Sequence, residues 1–172
     1  METILEIIKI TVPALIVFLT VYYLMKYHYK NIYAIEGMKL RKDAASTTLP
    51  LRLQAYERLA LFCERISPQN LLIRLRKSDM SGKDLENLMT LAIQQEFDHN
   101  LTQQIYVSES LWNIIKLCKN QIMDLVYTAG KSPNANDPEV FSSVLLKAFE
   151  ESNPVKTAQK AIRKEVEIYF NS

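Results

Sequence analysis

The residues best suited to chemistry in this chain are Glu96-Phe97-Asp98-His99. A Glu-x-x-His pair on a helix sets a carboxylate and an imidazole one turn apart, the spacing by which di-iron carboxylate bundles hold their metal. Such a centre uses the motif twice and adds a glutamate from each of two partner helices. The chain has 2 histidines, and the other, His28, lies at the edge of an apolar segment, so the second half-site is missing. Neither a metal nor a cofactor is expected. The plainer reading leaves Glu96 and Asp98 solvated and lets His99 cap a helix or bridge to a neighbour. A Ser-His or Cys-His nucleophile would have to use His99, and no motif brings a serine or cysteine to it. Ser81-Gly82-Lys83 ends like a phosphate loop but lacks the upstream glycine of G-x-x-x-x-G-K and a preceding strand. Ser81 therefore reads as a helix cap. Glu150-Glu151 stand beside a helix end and read as solvated. No catalytic residue is assigned, and enzymatic activity is not expected.

Two polar patches are denser than a plain surface helix requires. One holds Arg52, Gln54, Tyr56, Glu57 and Arg58; the other runs from Gln94 to Gln104, nearly unbroken apart from Phe97 and Leu101, and is followed by Tyr106. A solvated face with one or two bonded pairs between helices accounts for them. The sharper expectation is that Glu57, Arg58, Glu96, His99 and Gln103 converge into a network that orders the bundle or forms a contact site, with Arg52 and Tyr56 beside it. Arg65, Arg74, Arg76 and Lys77 form a small basic group. It suits anionic lipid head groups, or solubility alone.

The elements that must position these residues are helical. Thr48 and Pro50 are expected to open a first helix with Leu49, Leu53, Tyr56, Leu59, Ala60, Cys63 and Ile66 on one face, recurring three or four apart. Ser67-Pro68 restarts the chain, because proline suits the first helical position after a serine cap. Ser81 caps a longer helix whose stripe is Leu85, Leu88, Met89, Ala92, Ile93, Phe97, Leu101 and Ile105. Ser108 or Ser110 caps the next, and Gly130 is expected to end it in a left-handed conformation. Asp137-Pro138 and Asn153-Pro154 begin the last two. The chain holds 3 glycines, too few for a loop-rich all-β fold. The expected fold class is all-α, a bundle of five to six helices over residues 49–172. Cys63 and Cys118 each sit on an apolar face, where a reduced thiol packs as a small hydrophobe; a disulfide between them stays open.

The N-terminal segment differs from the rest. Residues 10–25 carry no charge, and Ile4, Leu5, Ile7 and Ile8 extend the apolar character upstream around Glu6 and Lys9. Counted over 4–25, this suits a membrane crossing, which needs about 20 residues. There is no basic leader and no small-x-small cleavage site, so an uncleaved anchor over 1–25 is expected rather than a signal peptide. Lys26, Lys30, Lys39, Arg41 and Lys42 follow it, and by the positive-inside bias they belong in the cytoplasm. Tyr22, Tyr23, Tyr27 and Tyr29 mark the same interface. Residues 26–48 read as a basic stalk. The net charge of +2 resides here: residues 44–172 hold 15 basic and 15 acidic side chains, and residues 1–43 hold six and four. That balance argues against nucleic acid as a partner.

At Leu49-Pro50-Leu51-Arg52-Leu53-Gln54-Ala55-Tyr56-Glu57-Arg58-Leu59, and again at Glu96-Phe97-Asp98-His99-Asn100-Leu101, the chain resembles an uncharacterised bacterial family, mostly from Bacteroidetes, of single-pass proteins with a helical cytoplasmic part. The resemblance implies the layout and no activity, ligand or catalytic residue. The expected function is a membrane-tethered interaction or scaffold module at the cytoplasmic face of the inner membrane, with the bilayer and a protein partner or further copies of itself as partners. The alternatives are a small-molecule-binding or catalytic bundle using Glu57, Arg58, Glu96 and His99, and a purely structural assembly component. A concave pocket lined by those four side chains favours the former; a filled core excludes it.

Overall fold

The computed structural model describes the backbone of residues 2–170, with side chains described at 11–13, 15–29, 39, 46 and 48–168. It is all-helical, with six α-helices and no strand among the described residues. The chain divides into two compact units, residues 1–49 and 50–172.

Helix α1, Glu2–Arg65, begins in the first unit and ends in the second. It runs unbroken through 26–48, and through Thr48 and Pro50, where a new helix was expected to open. Little in that stretch stops a helix. Gly37 costs about 1 kcal/mol against alanine; the one strong breaker is Pro50, which lacks an amide donor and crowds the carbonyl of Ser46, about 3 kcal/mol or more. Packing of Ala55, Tyr56 and Leu59 holds the turns that follow.

The expected membrane-crossing helix is not upheld among the described residues, where no helix is long and apolar enough to cross a membrane. The uncharged run covers only sixteen residues, 10–25, short of the roughly 20 that a bilayer requires. The side chains of residues 1–10 and Ala14, which complete the expected span, lie outside the described residues, as does that of Lys30. What the first unit does show is apolar surface. Leu15, Ile16, Val17 and Phe18 are consecutive and each between 58% and 68% exposed. Successive helical positions turn by about 100°, so these four expose apolar surface on every side. Tyr22, Tyr23, Lys26, Tyr27 and Tyr29 are exposed as well, with the rings of Tyr22 and Tyr23 edge to face at 5.7 Å.

The second unit contains the end of α1 and helices α2, Pro68–Leu75, α3, Gly82–Asn100, α4, Glu109–Gly130, α5, Pro138–Ser152, and α6, Pro154–Phe170. Each break has a local cause. The Ser81 hydroxyl accepts from the Asp84 amide at 3.1 Å while the Asp84 carboxylate accepts from the Ser81 amide at 3.2 Å, a reciprocal capping box. Ser108 caps α4 through the Leu111 amide, and Asp137 caps α5 through the Glu139 amide. Asn153 serves two helices. Its left-handed backbone, φ 31°, ends α5, and its side chain accepts from the Lys156 amide at 3.0 Å to begin α6. Ser67 departs from the pattern: Pro68 follows it as expected, but its hydroxyl donates back to the Glu64 carbonyl instead of capping α2.

Helix α4 packs against α3, α5 and α6. The core gathers Phe62, Ile93, Ile115, Ile122, Phe141 and Leu145, all fully buried. The α3 stripe is buried or half-buried from Leu85 to Phe97, but Leu101 and Ile105 are exposed. The reason is a change of pitch. The α-helix stops at Asn100, and Leu101–Ile105 forms a 3-10 helix, whose three-residue turn carries the stripe off the core.

Glycine works here by making room. Gly130 ends α4 without a positive φ, contrary to the expected left-handed cap. A Cβ there would meet the carboxylate of buried Glu86, and one at Gly82 would meet the carbonyl of Ala135. The Gly82 amide donates to the Asn136 carbonyl at 2.7 Å, which holds the loop after α4 against the start of α3. Gly82→Ala is therefore expected to destabilise by about 1–3 kcal/mol. Gly130→Ala should cost less, because the Glu86 carboxylate can swing aside and a backbone carbonyl cannot; denaturant melts of the full chain check the ranking.

The Asp84 carboxyl is held below the usual carboxylate range, first by the Ser81 hydroxyl and then by the Ser81 amide. A depressed pKa in the folded chain means that the stabilisation is complete above the unfolded value of about 3.9 and is lost as pH falls through the folded one. The gap in Tm between the parent and Asp84→Asn should thus be full at neutral pH and close on acidification.

Candidate functional site

The site begins with two helical stripes. On α1, Arg58, Leu61, Phe62 and Arg65 recur at i, i+3, i+4 and i+7; on α3, Ala92, Gln95, Glu96 and His99 do the same. Residues so spaced share one face of a helix. The two stripes and the end of α2, with Arg74 and Leu75, line a cleft of about 630 Å³ in the second unit, within the size range of small-ligand sites.

Its electrostatics are uneven. Arg65 Nε pairs with a Glu96 carboxylate oxygen at 3.1 Å, and the Glu96 side chain is only 15% exposed. The Asn100 side-chain Nδ2 donates to the Glu96 carbonyl at 2.8 Å, bracing the last turn of α3. An Arg74 guanidinium nitrogen donates to the Arg65 carbonyl at 3.4 Å, which draws α2 toward the end of α1. Arg58 and His99 are exposed at the rim. Three arginines face one carboxylate.

The structure brings together Arg58, Glu96 and His99 of the expected network. It does not bring Glu57 or Gln103 to the cleft. Glu57 is exposed, and Gln103 is buried in the 3-10 helix, with its side chain donating to Thr102 at 3.3 Å. Arg52 is half-buried outside the cleft, and Tyr56 is buried elsewhere in the core. The basic group is split. Arg65 and Arg74 line the cleft, whereas Arg76 pairs with Glu139, which raises the pKa of its guanidinium. Among the described residues no group of three or more His, Cys, Asp or Glu is placed to hold a metal ion. Cys63 and Cys118 are free and buried. The Cys63 thiol is pushed up first by its hydrogen bond with Cys118 and then by burial, which disfavours the nucleophilic thiolate.

A second polar centre was missed in the sequence. Glu165 on α6 accepts from the Tyr56 hydroxyl at 3.1 Å and from the Ser108 amide at 2.9 Å, and its other oxygen accepts from the Ser108 hydroxyl. One carboxylate thereby joins α1, α4 and α6 at the N-terminus of α4, where the helix dipole favours negative charge. Its signal was helical phase. Residue 165 stands three beyond Ile162 and seven beyond Ala158, both buried, so the Arg163-Lys164-Glu165 run is not all solvated.

Glu165→Ala leaves the Tyr56 hydroxyl and the Ser108 amide without their acceptor and is expected to cost about 1–3 kcal/mol. Glu57→Ala, at an exposed position, should stay within about 0.5 kcal/mol of the parent. Equal losses in urea melts would show that Glu165 does not tie the helices.

No curated protein and no solved structure matches the chain. A protein-family model does, over residues 2–169, nearly the whole length and both polar centres. The chain belongs to the Family of unknown function (DUF7935).

Proposed function

We propose that the protein is a helical binding module held at a membrane by its N-terminal segment, with no enzymatic activity of its own. The apolar surface of α1 carries this reading. Val12 to Met25 expose large apolar side chains around the whole helix, and a helix apolar all round belongs in a protein core or in lipid. Acyl chains cover such a surface without a matching partner, and counted back to Ile4 the segment has the 22 residues that a crossing needs. The tyrosines and Lys26, Lys30 and Lys39 that follow suit the interface and favour the cytoplasmic side for residues 26–172. A bacterial source, implied by the resemblance, makes this the inner membrane. The helical unit then acts by binding a protein partner or further copies of itself at that surface.

The cleft favours a second reading, in which the helical unit binds a small molecule. Three of the four side chains named for it from sequence, Arg58, Glu96 and His99, line one cavity.

The full chain is expected to stay with the membrane pellet through an alkaline carbonate wash. Val17→Lys, a cost of about 2.5–3.5 kcal/mol at a bilayer centre, should release it. Recovery of the parent chain in the soluble fraction overturns membrane attachment, and a reporter after Ser172 that is active only outside the cytoplasm overturns the orientation.

A further inference from the structure

We infer that the cleft between α1, α2 and α3 binds a phosphate monoester, with the phosphate on the arginines and the organic part on the apolar side chains between them. This rests on the small-molecule reading of the cleft and names its ligand class.

Charge comes first. Arg58, Arg65 and Arg74 stand against Glu96 alone, which leaves two positive charges uncompensated within the lining. A phosphate monoester carries about −1.5 to −2 at pH 7 and meets both. A carboxylate carries one charge and leaves one cation unmet. The second observation is the way Glu96 is used. It engages Arg65 at Nε, and the Arg65 side chain is still 56% exposed, so part of that guanidinium stays open to a ligand. Guanidinium edges are the groups that grip phosphate oxygens in pairs. Arg74 donates to the Arg65 carbonyl, which brings a guanidinium from α2 to the end of α1. Arg58 lies two turns back on α1, about 10 Å along the axis, and lines the same cleft.

The rest of the lining argues for an organic substituent. Leu61, Phe62, Leu75 and Ala92 separate the arginines. They offer carbon surface that a free inorganic anion cannot use, and a cleft of about 630 Å³ takes a single small molecule. The same phosphate chemistry is available on a soluble metabolite or on the head group of a phosphatidic acid.

The test is calorimetric titration of the full chain in a non-ionic detergent with phenyl phosphate, benzoate and dihexanoyl phosphatidic acid. Phenyl phosphate is expected to saturate one site and to bind more tightly than benzoate. The double variant Arg58→Gln/Arg74→Gln should weaken it by about tenfold or more, as loss of charged hydrogen bonds implies, while Arg163→Gln on the exposed face of α6 leaves it unchanged. Glu96→Gln keeps an acceptor for Arg65 but removes the opposing charge, so it should tighten binding; a disrupted fold cannot give that gain. Tighter binding of the phosphatidic acid than of phenyl phosphate supports the inference with a lipid source, and the reverse supports it with a soluble one. Benzoate binding as tightly as phenyl phosphate, and depending on Arg58 and Arg74, overturns the phosphate assignment and leaves the small-molecule reading standing. Absence of saturable binding, or binding indifferent to both arginines, overturns the two together.

Discussion

The packing of Phe97 sets the rotation of α3, and the cleft depends on that rotation. Its ring stacks on Trp112 of α4 with centroids 5.5 Å apart and meets Phe62 of α1 at 6.0 Å. Lys119 lies over it at 4.5 Å, tied by a hydrogen bond to Gln94. Aromatic contacts of this kind add to the apolar area they bury and prefer definite geometries, so α3 has little freedom to turn. With Phe97 held inward, Glu96 lies about 100° round the helix, facing Arg65. A rotation of α3 large enough to separate that pair would also unstack Phe97 from Trp112.

Charge in the second unit is balanced in sum and uneven in place. Negative charge is spent on structure. Glu165 holds the α4 cap residue Ser108 and anchors Tyr56, Glu86 is buried beside Gly130 and paired with Lys83 at 2.8 Å, and Asp84 closes the capping box. These carboxylates offset nothing in the cleft, so Arg58, Arg65 and Arg74 keep an excess there that composition conceals. A neutral domain can therefore carry a cationic cavity, because the acids that balance it act elsewhere.

The first unit obeys a different constraint. Its apolar side chains are not drawn into any core among the described residues, and Leu15 to Phe18 face outward on every side. Within one chain, then, hydrophobic surface is arranged in two ways. On the helices of the second unit it lies in stripes that close on one another; from Leu15 to Phe18 on α1 it lies all round the helix with no polar face between.

The sequence by itself determined the all-α class, most helix boundaries and the caps at Ser81, Asp137 and Asn153, and narrowed that of α4 to Ser108 or Ser110, because these follow from local periodicity and from which side chains satisfy free amides at helix ends. It also singled out Arg58, Glu96 and His99. The tertiary structure decided the rest, since each remaining point depends on distance between residues far apart in the chain. Only packing shows that Arg65 and Arg74 join that group while Arg76 and Glu57 do not, that Glu165 is an inward tie instead of a surface charge, and that Gly130 is needed for the Glu86 carboxylate instead of for its own backbone freedom. The run through Thr48 and Pro50 makes the same point from the other side. Local signals proposed a break, and the helix runs through both residues.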